Sequence, residues 1–530
     1  MKGYQTLEFQ AFLGIPYALP PLGDLRFERP RRMGKLFGTS DASKPKPDCI
    51  NKNYLLSTPK VYGEEDCLYL NVYRPMPLSE SPLPVMVYIH GGGFIGGSAG
   101  PLVSGPEYFM DSQAVILVTV SYRVGVFGFL STGDGNMPGN FGLKDQNMAL
   151  KWVQDNIHYY GGDQQKVTLF GHGIDGIATH LHLMSNMSAG LFHRVISMSG
   201  TAIAPTAINR NPLEQARNVA EFCRIPNANN MSEAELTDAL KYVDADVLVN
   251  AGDGFKYWDA DPLHIYRPVI ESANQDAFLT AEPELLMEQG NYIKVPWLLG
   301  SVPSDGAVRV VKIYENFELR YQFNLQFHDL LKKLTEFSSK YNDADQDEKT
   351  RTLIEEYLNN IHELESQTVD GLLHWMTDRH FNYPLYKTVR YYVRSGDDPI
   401  YIYNFNYRGP HSYASIYANA KLSRSYGVVH GDDLLYLFRS PLFFPDFKKN
   451  STDAKLITSF VDYFVTFARN GRTNFLPHMR NCTRYVFAEG RDSFCDYHHF
   501  EYRRGGFYLR VSNQFPSDKV KLWMYLSDET

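Results

Sequence analysis

Four stretches of this sequence carry residue types that could act together on a carbonyl carbon. The first is His90-Gly91-Gly92-Gly93-Phe94, at the end of the apolar run VMVYIH (85–90). Successive glycines let a backbone approach a substrate closely and turn N–H groups toward a developing oxyanion. The second is FGHGIDG (170–176), a glycine-flanked turn with Gly173 at its centre. It follows KVTLF (166–170) and precedes Ile174, Ile177, Ala178, Leu181 and Met184 at helical spacing. A serine at the centre of such a strand-to-helix turn is a nucleophile, held in backbone strain of about 1–3 kcal/mol. Glycine takes those angles without a Cβ penalty, but it has no side chain to attack with. The third and fourth are Asp305, in a loop after the apolar VPWLLG (295–300), and His430, within GVVHGDDLLYLF (427–438). An acid and then a histidine, both carboxyl-terminal to the turn, have the chain order of a base and its orienting carboxylate.

The pattern G-x-S-x-G does occur, as Gly96-Gly97-Ser98-Ala99-Gly100, but in the wrong surroundings. Ser98 follows a glycine loop, and Gly100-Pro101 start no helix, so its hydroxyl is not expected to be a nucleophile. Within the turn itself Asp175 is a second departure, because small residues normally let helix and strand pack tightly there. It is expected to crowd the turn, so that Gly173→Ser alone restores little and an added Asp175→Gly helps. His172 is expected to point away from a bound carbonyl.

The elements that must position these residues are legible as short β-branched runs. LYLNVY (68–73), VMVYIH (85–90), VILVTV (115–120), KVTLF (166–170) and RVISMS (194–199) alternate with helical patterns such as LKDQNMALKWVQDNI (143–157). This alternation predicts an α/β fold with a large, mostly parallel central sheet and helices on both faces. From 317 to 376 the chain turns helical and charged, and these helices are expected to pack over the sheet. Asp343, Asp345 and Asp347 have the opening rhythm of a calcium loop, but Glu348 and Ile354 stand where it needs glycine and glutamate. A solvated helix start is the better reading.

At 530 residues and 44% hydrophobic, the chain can bury a large core, and its chemistry-bearing residues spread from 91 to 430. One domain over 1–530 is therefore expected. A net charge of -8 gives no footprint for nucleic acid. The longest apolar stretch (114–130) contains Arg123 and two glycines, so no membrane span is expected. No secretory signal precedes the first residues. Cys49 and Cys67 are close enough to close a loop, as are Cys482 and Cys495, which leaves Cys223 odd. Sequons begin at Asn186, Asn230, Asn450 and Asn481, in keeping with an extracellular, glycosylated protein. No metal or cofactor is expected.

Across nearly its whole length the chain resembles the type-B carboxylesterases and cholinesterases. The resemblance is carried by FLGIPYALPPLGDLRF (12–27), EDCLYLNVYRP (65–75), HGGGF (90–94), SYRVGVFGFLSTGD (121–134), PGNFGLKDQNMALKWVQDNI (138–157), GLFHRVISMSGTA (190–202) and GVVHGDDLLYLF (427–438). It implies an α/β-hydrolase fold with an ester-sized gorge. It places the oxyanion donors on Gly92, Gly93 and Ile174, the acid on Asp305, the base on His430 and the nucleophile position on Gly173. It also implies a Cys49–Cys67 disulfide, a broken second disulfide at Cys223, and an amino-terminal strand and signal missing from this chain. The tryptophan that cholinesterases carry just before EDC is absent, so choline esters are not supported. With no serine, the family reading is a catalytically silent member like the cholinesterase-like adhesion proteins (neuroligins, neurotactin, gliotactin, glutactin). Its expected partner is another extracellular or cell-surface protein. The alternatives are an active carboxylic ester hydrolase and a protein that holds an apolar small ligand in the retained gorge.

Overall fold

The computed structural model describes residues 1–530 apart from 35–37, 57, 396–398, 474–496, 504–505, 513–514, 516 and 528–530. Cys482, Cys495 and Asn481 lie outside the described residues. The strands, in chain order, are β1 (Phe9–Pro16), β2 (Asn51–Lys52), β3 (Val61–Tyr62), β4 (Tyr69–Pro75), β5 (Leu83–Ile89) and β6 (Ile116–Val120). They continue with β7 (Gly162–His172), β8 (Arg194–Met198), β9 (Trp297–Ser301), β10 (Ile400–Asn406), β11 (Tyr497–Arg503) and β12 (Gly506–Ser512). β2 and β3 pair with each other, and the other ten form one sheet in the order β1-β4-β6-β5-β7-β8-β9-β10-β11-β12 among the described residues. The middle of the sheet, from β6 to β11, is parallel; only β1, β4 and β12 run against their neighbours.

Period-two alternation explains why the sheet needs cover on both faces. In β5, Val85, Val87 and Ile89 enter one apolar core, while Met86 and Tyr88 enter the other. β9 divides in the same way, with Trp297 and Leu299 on one face and Leu298 on the other. Helices Phe141–Asn156 and Ile174–Leu183 cover the first face; helix Thr452–Asn470 covers the second. Central strands β6 and β9 are buried at every residue, which is why they read as unbroken apolar runs.

The charged helical stretch departs from expectation. Helices Phe317–Leu325, Phe327–Thr335, Asp343–Leu358 and Val369–Thr377 build a third apolar cluster that contains no residue of the sheet. They pack on one another because each carries its own apolar stripe, as Phe327, Leu330, Leu331 and Leu334 do in the second. The acidic run starts a helix, as read: Asn342 and Asp345 form a capping box, and Lys332 bridges Asp343 and Asp347.

Cys49 and Cys67 are disulfide-bonded across a separation of 18 residues, and Cys223 is a free thiol. Asn186, Asn230 and Asn450 are exposed. No helix among the described residues is long and apolar enough to cross a membrane.

Candidate active site

β7 runs directly into Gly173, and helix Ile174–Leu183 begins at the next residue. Gly173 has φ 64° and ψ −124°, a backbone conformation that strains any residue with a side chain. Its N–H donates to the Met198 carbonyl of the neighbouring β8 at 2.7 Å, and its carbonyl accepts from Ile177 at 3.1 Å. Gly176 and Gly200 complete the fit, since a Cβ on either would press on backbone. The glycine-flanked turn is therefore a strand-to-helix elbow, as its sequence context implied.

The parallel bridge Ser304↔Val429 lays the loop after β9 beside the loop that carries His430. Ser304 N–H donates to the Val428 carbonyl at 3.0 Å, and this alignment brings Asp305 Oδ1 within 2.7 Å of His430 Nδ1. Asp305 is fully buried, and its Oδ2 accepts from Ser199 Oγ at 3.1 Å and from Val302 N–H at 3.2 Å. With the carboxylate on Nδ1, the other ring nitrogen faces the elbow: a Cβ built on Gly173 would lie 2.7 Å from His430 Nε2. Burial pushes the His430 pKa down, the neighbouring His172 adds to this, and Asp305 opposes it. The imidazole is therefore neutral, and a proton acceptor, at neutral pH.

Gly92 and Gly93 hold φ of 146° and 74° in the loop after β5. A Cβ on Gly92 would collide with the Gly96 carbonyl, so no larger residue fits there. The N–H groups of Gly92, Gly93 and Ile174 donate to no protein acceptor among the described residues. All three residues line one cavity with Gly173, His172 and His430. That cavity, of about 390 Å³, has an apolar wall that includes Leu55, Val103, Phe438, Leu442 and Phe443. Part of its wall is polar: it includes Glu336, which forms a bidentate pair with Arg267 at 2.8 and 3.0 Å, and His264 and His380, whose pKa burial lowers to about 4. His264 Nδ1 lies 3.2 Å from the Gly93 carbonyl, tying this wall to the glycine loop.

Ser98 lines the same cavity without an elbow beneath it. Its Oγ donates to Asp48 at 2.6 Å and accepts from Gly100 N–H at 3.0 Å, which uses the hydroxyl to close its own loop.

Sequence reasoning missed two features. His172 Nε2 lies 3.3 Å from Asp433 Oδ1, and its ring centroid is 4.4 Å from that of His430, so a second imidazole–carboxylate pair stands beside the first. The spacing His430-x-x-Asp433 was the available signal. The second is Asp175, whose expected crowding of the turn is not found. Its carboxyl turns under the glycine loop, where Oδ1 accepts from the Tyr122 hydroxyl and Oδ2 has no partner. A Cβ on Gly173 meets no atom of Asp175 within 4 Å.

Burial pushes the Asp175 pKa well above the usual carboxylate range. The folded protein thus favours the protonated acid, and stability is lost as pH rises from the ordinary carboxylate range through the raised value. Asp175→Asn keeps the acceptor for Tyr122 and removes the titration. Thermal unfolding between roughly pH 5 and pH 8 should show the variant more stable than the parent at the alkaline end, with the gap closing at the acid end. A gap independent of pH would refute this role.

A doubly covered, mostly parallel sheet with an elbow after a central strand, followed by an acid and a histidine on later loops, defines an α/β hydrolase. Within that class the Carboxylesterase family profile matches residues 1–494, and the chain belongs to this family. It is 40% identical to the juvenile hormone esterase of Tribolium castaneum over 482 residues, covering 89% of this chain and 81% of that protein. It is 35% identical to venom carboxylesterase-6 of Apis mellifera over 439 residues, covering 82% and 77%. The crystal structure of juvenile hormone esterase from Manduca sexta, with OTFP covalently attached, superposes with a TM-score of 0.84 at 25% identity, over 99% of this chain and 97% of that one.

These findings correct the expectation of a silent adhesion protein. The similar proteins carry the names of ester hydrolases, the branch of neuroligins and their kin is not supported, and these names favour the ester-hydrolase alternative. The silent-adhesion expectation rested on the missing serine at Gly173 alone.

Proposed function

We propose that this chain hydrolyses carboxylic esters with an apolar acyl or alkyl group in the 390 Å³ cavity, by direct attack of water. His430 Nε2 takes a proton from a water in the space over Gly173, and the oxygen adds to the ester carbonyl. The oxyanion is received by the N–H groups of Gly92, Gly93 and Ile174. The intermediate then collapses, expels the alkoxide and returns the proton to it from His430, with Asp305 holding the imidazole throughout. No acyl-enzyme forms. The observation that carries this reading is the aim of His430 Nε2 at the position a Gly173 side chain would occupy, at 2.7 Å. Preorganised donors and binding sustain roughly 10³–10⁴-fold acceleration over water without a triad, and a positioned base contributes about 10²–10⁴. The expected enzyme is therefore slow beside a serine esterase.

The names of the relatives support the ester class, and the Tribolium juvenile hormone esterase makes a juvenile hormone ester the first natural substrate to try. The Cys49–Cys67 disulfide and the exposed acceptors Asn186, Asn230 and Asn450 support an extracellular, glycosylated protein. A single unit over 1–530 is supported by one cavity drawing residues from the loop after β5, the elbow, the helical cluster and the His430 loop.

Turnover of a p-nitrophenyl ester alongside labelling with a fluorophosphonate tests the mechanism. Steady turnover above buffer, with no burst of p-nitrophenol and no covalent adduct, is expected. Stoichiometric labelling would overturn the water mechanism, and turnover no faster than buffer would overturn the hydrolase reading.

A further inference from the structure

Two histidines on the polar part of the ester cavity's wall have their protons placed by backbone carbonyls. His264 Nδ1 lies 3.2 Å from the Gly93 carbonyl oxygen, and His380 Nε2 lies 2.9 Å from that of Leu334. A carbonyl oxygen only accepts, so each of these nitrogens carries the hydrogen and donates it. Burial lowers both pKa values to about 4, so at neutral pH the rings are uncharged and the second nitrogen of each holds a lone pair. The remaining acceptors are His264 Nε2 and His380 Nδ1.

Neither acceptor meets a protein donor among the described residues, and neither is sealed within the protein. Both side chains line the ester cavity; His264 also borders a neighbouring cavity, whereas His380 does not. His380 Nδ1 is thus the acceptor that belongs to the ester cavity alone. This wall is close to the reaction. Phe381, the next residue, packs its ring 5.1 Å from that of His430, and a Cβ on Gly93 would lie 3.3 Å from His264 Nδ1. Glu336, on the same wall, adds only acceptor oxygens, and its bidentate pair with Arg267 already supplies its cation. Together the three side chains suit a neutral hydrogen-bond donor.

We propose that the ester cavity selects substrates that carry a hydroxyl group beside the ester and its apolar body, the hydroxyl donating to His380 Nδ1, with His264 Nε2 as the second acceptor. This names a substrate class for the hydrolysis proposed above and rests on that reading. A purely apolar ester that fills the cavity takes water from these nitrogens and returns no hydrogen, whereas a hydroxyl restores the bond. A methyl ether keeps the oxygen and loses the hydrogen, so it separates donation from polarity.

Isothermal titration of the full chain with ω-hydroxy methyl ketones of increasing chain length, each against its methyl ether, tests the proposal. A ketone takes the place of an ester without being hydrolysed. At the chain length that reaches His380, the hydroxy ketone should bind about tenfold more tightly than its ether. His380→Phe should abolish that preference, and His264→Phe should reduce it. The p-nitrophenyl esters of the corresponding ω-hydroxy and ω-methoxy acids should differ in KM in the same direction. Ethers that bind as tightly as the hydroxy ketones at every length, equal KM for the paired esters, or a preference intact in both histidine variants would each overturn the assignment. The first comparison uses the parent protein alone, so it stands even if the variants fold poorly. A preference among the ketones in a protein that hydrolyses no ester would instead sink the hydrolase reading and leave the donor preference in place.

Discussion

Gly173→Ser is expected to raise ester turnover by at least about 10²-fold and to make the protein label stoichiometrically with a fluorophosphonate, since the nucleophile of a complete triad is worth roughly 10⁶ in turnover. The partners are already placed: His430 Nε2 lies 2.7 Å from the Cβ position, and its Nδ1 is held by Asp305 at 2.7 Å. Two effects keep the gain below the full value. The imidazole must retreat by some tenths of an ångström to admit a side chain, and φ 64° with ψ −124° imposes strain of about 1–3 kcal/mol on any residue with a Cβ. The variant should therefore be faster and less stable than the parent, measured by p-nitrophenyl ester kinetics and thermal unfolding. Adding Asp175→Gly should contribute little, because the Asp175 carboxyl is bonded to Tyr122 and no atom of Asp175 comes within 4 Å of the Gly173 Cβ position. A Gly173→Ser protein that neither labels nor gains activity would show that the donors and base are not poised as described.

The second large effect falls on the base. His430→Ala should lower turnover by about 10²–10⁴-fold, the usual contribution of a positioned general base. Asp305→Asn should lose a comparable share, because an amide at that distance can hold the imidazole in the wrong tautomer. KM should move little in either, since neither group is needed to seat an apolar ester. The pH profile adds an independent reading. Burial and the neighbouring His172 lower the His430 pKa, so the base stays unprotonated at neutral pH and activity falls only on the acid side. His172→Gln removes one lowering influence and should move that acid limb upward in pH. Activity unaffected by His430→Ala would end the proposed mechanism, whatever its pH dependence.

Much of the site was legible because its signals are local. A β-branched run, a glycine turn and a helical apolar period specify an elbow through sterics within a few residues of Gly173, and φ 64° there confirms that reading. The glycine loop after β5 was read in the same way. The packing of the charged helices was not legible, because an amphipathic stripe states that a helix must be covered but not by what; helices Phe327–Thr335 and Val369–Thr377 share a cluster with neighbouring helices instead of the sheet. The function was misjudged at a single residue. Local reading shows that Gly173 cannot attack a carbonyl, but it does not show what His430 faces instead.

The sequence by itself determined which groups exist: an elbow without a nucleophile, a glycine loop, an acid and a histidine in a set order. Covalent structure and short-range backbone sterics suffice for that. Only the tertiary structure decided what those groups do to each other. Asp305 and His430 are 125 residues apart and meet because the loop after β9 and the loop carrying His430 bridge at Ser304 and Val429. His172 turns to Asp433, Asp175 to Tyr122, and Arg379, beside Trp523, donates to the backbone carbonyls of Thr335 and Glu336. Side-chain direction, burial and the charge each group carries depend on neighbours far along the chain, and packing alone chooses those neighbours.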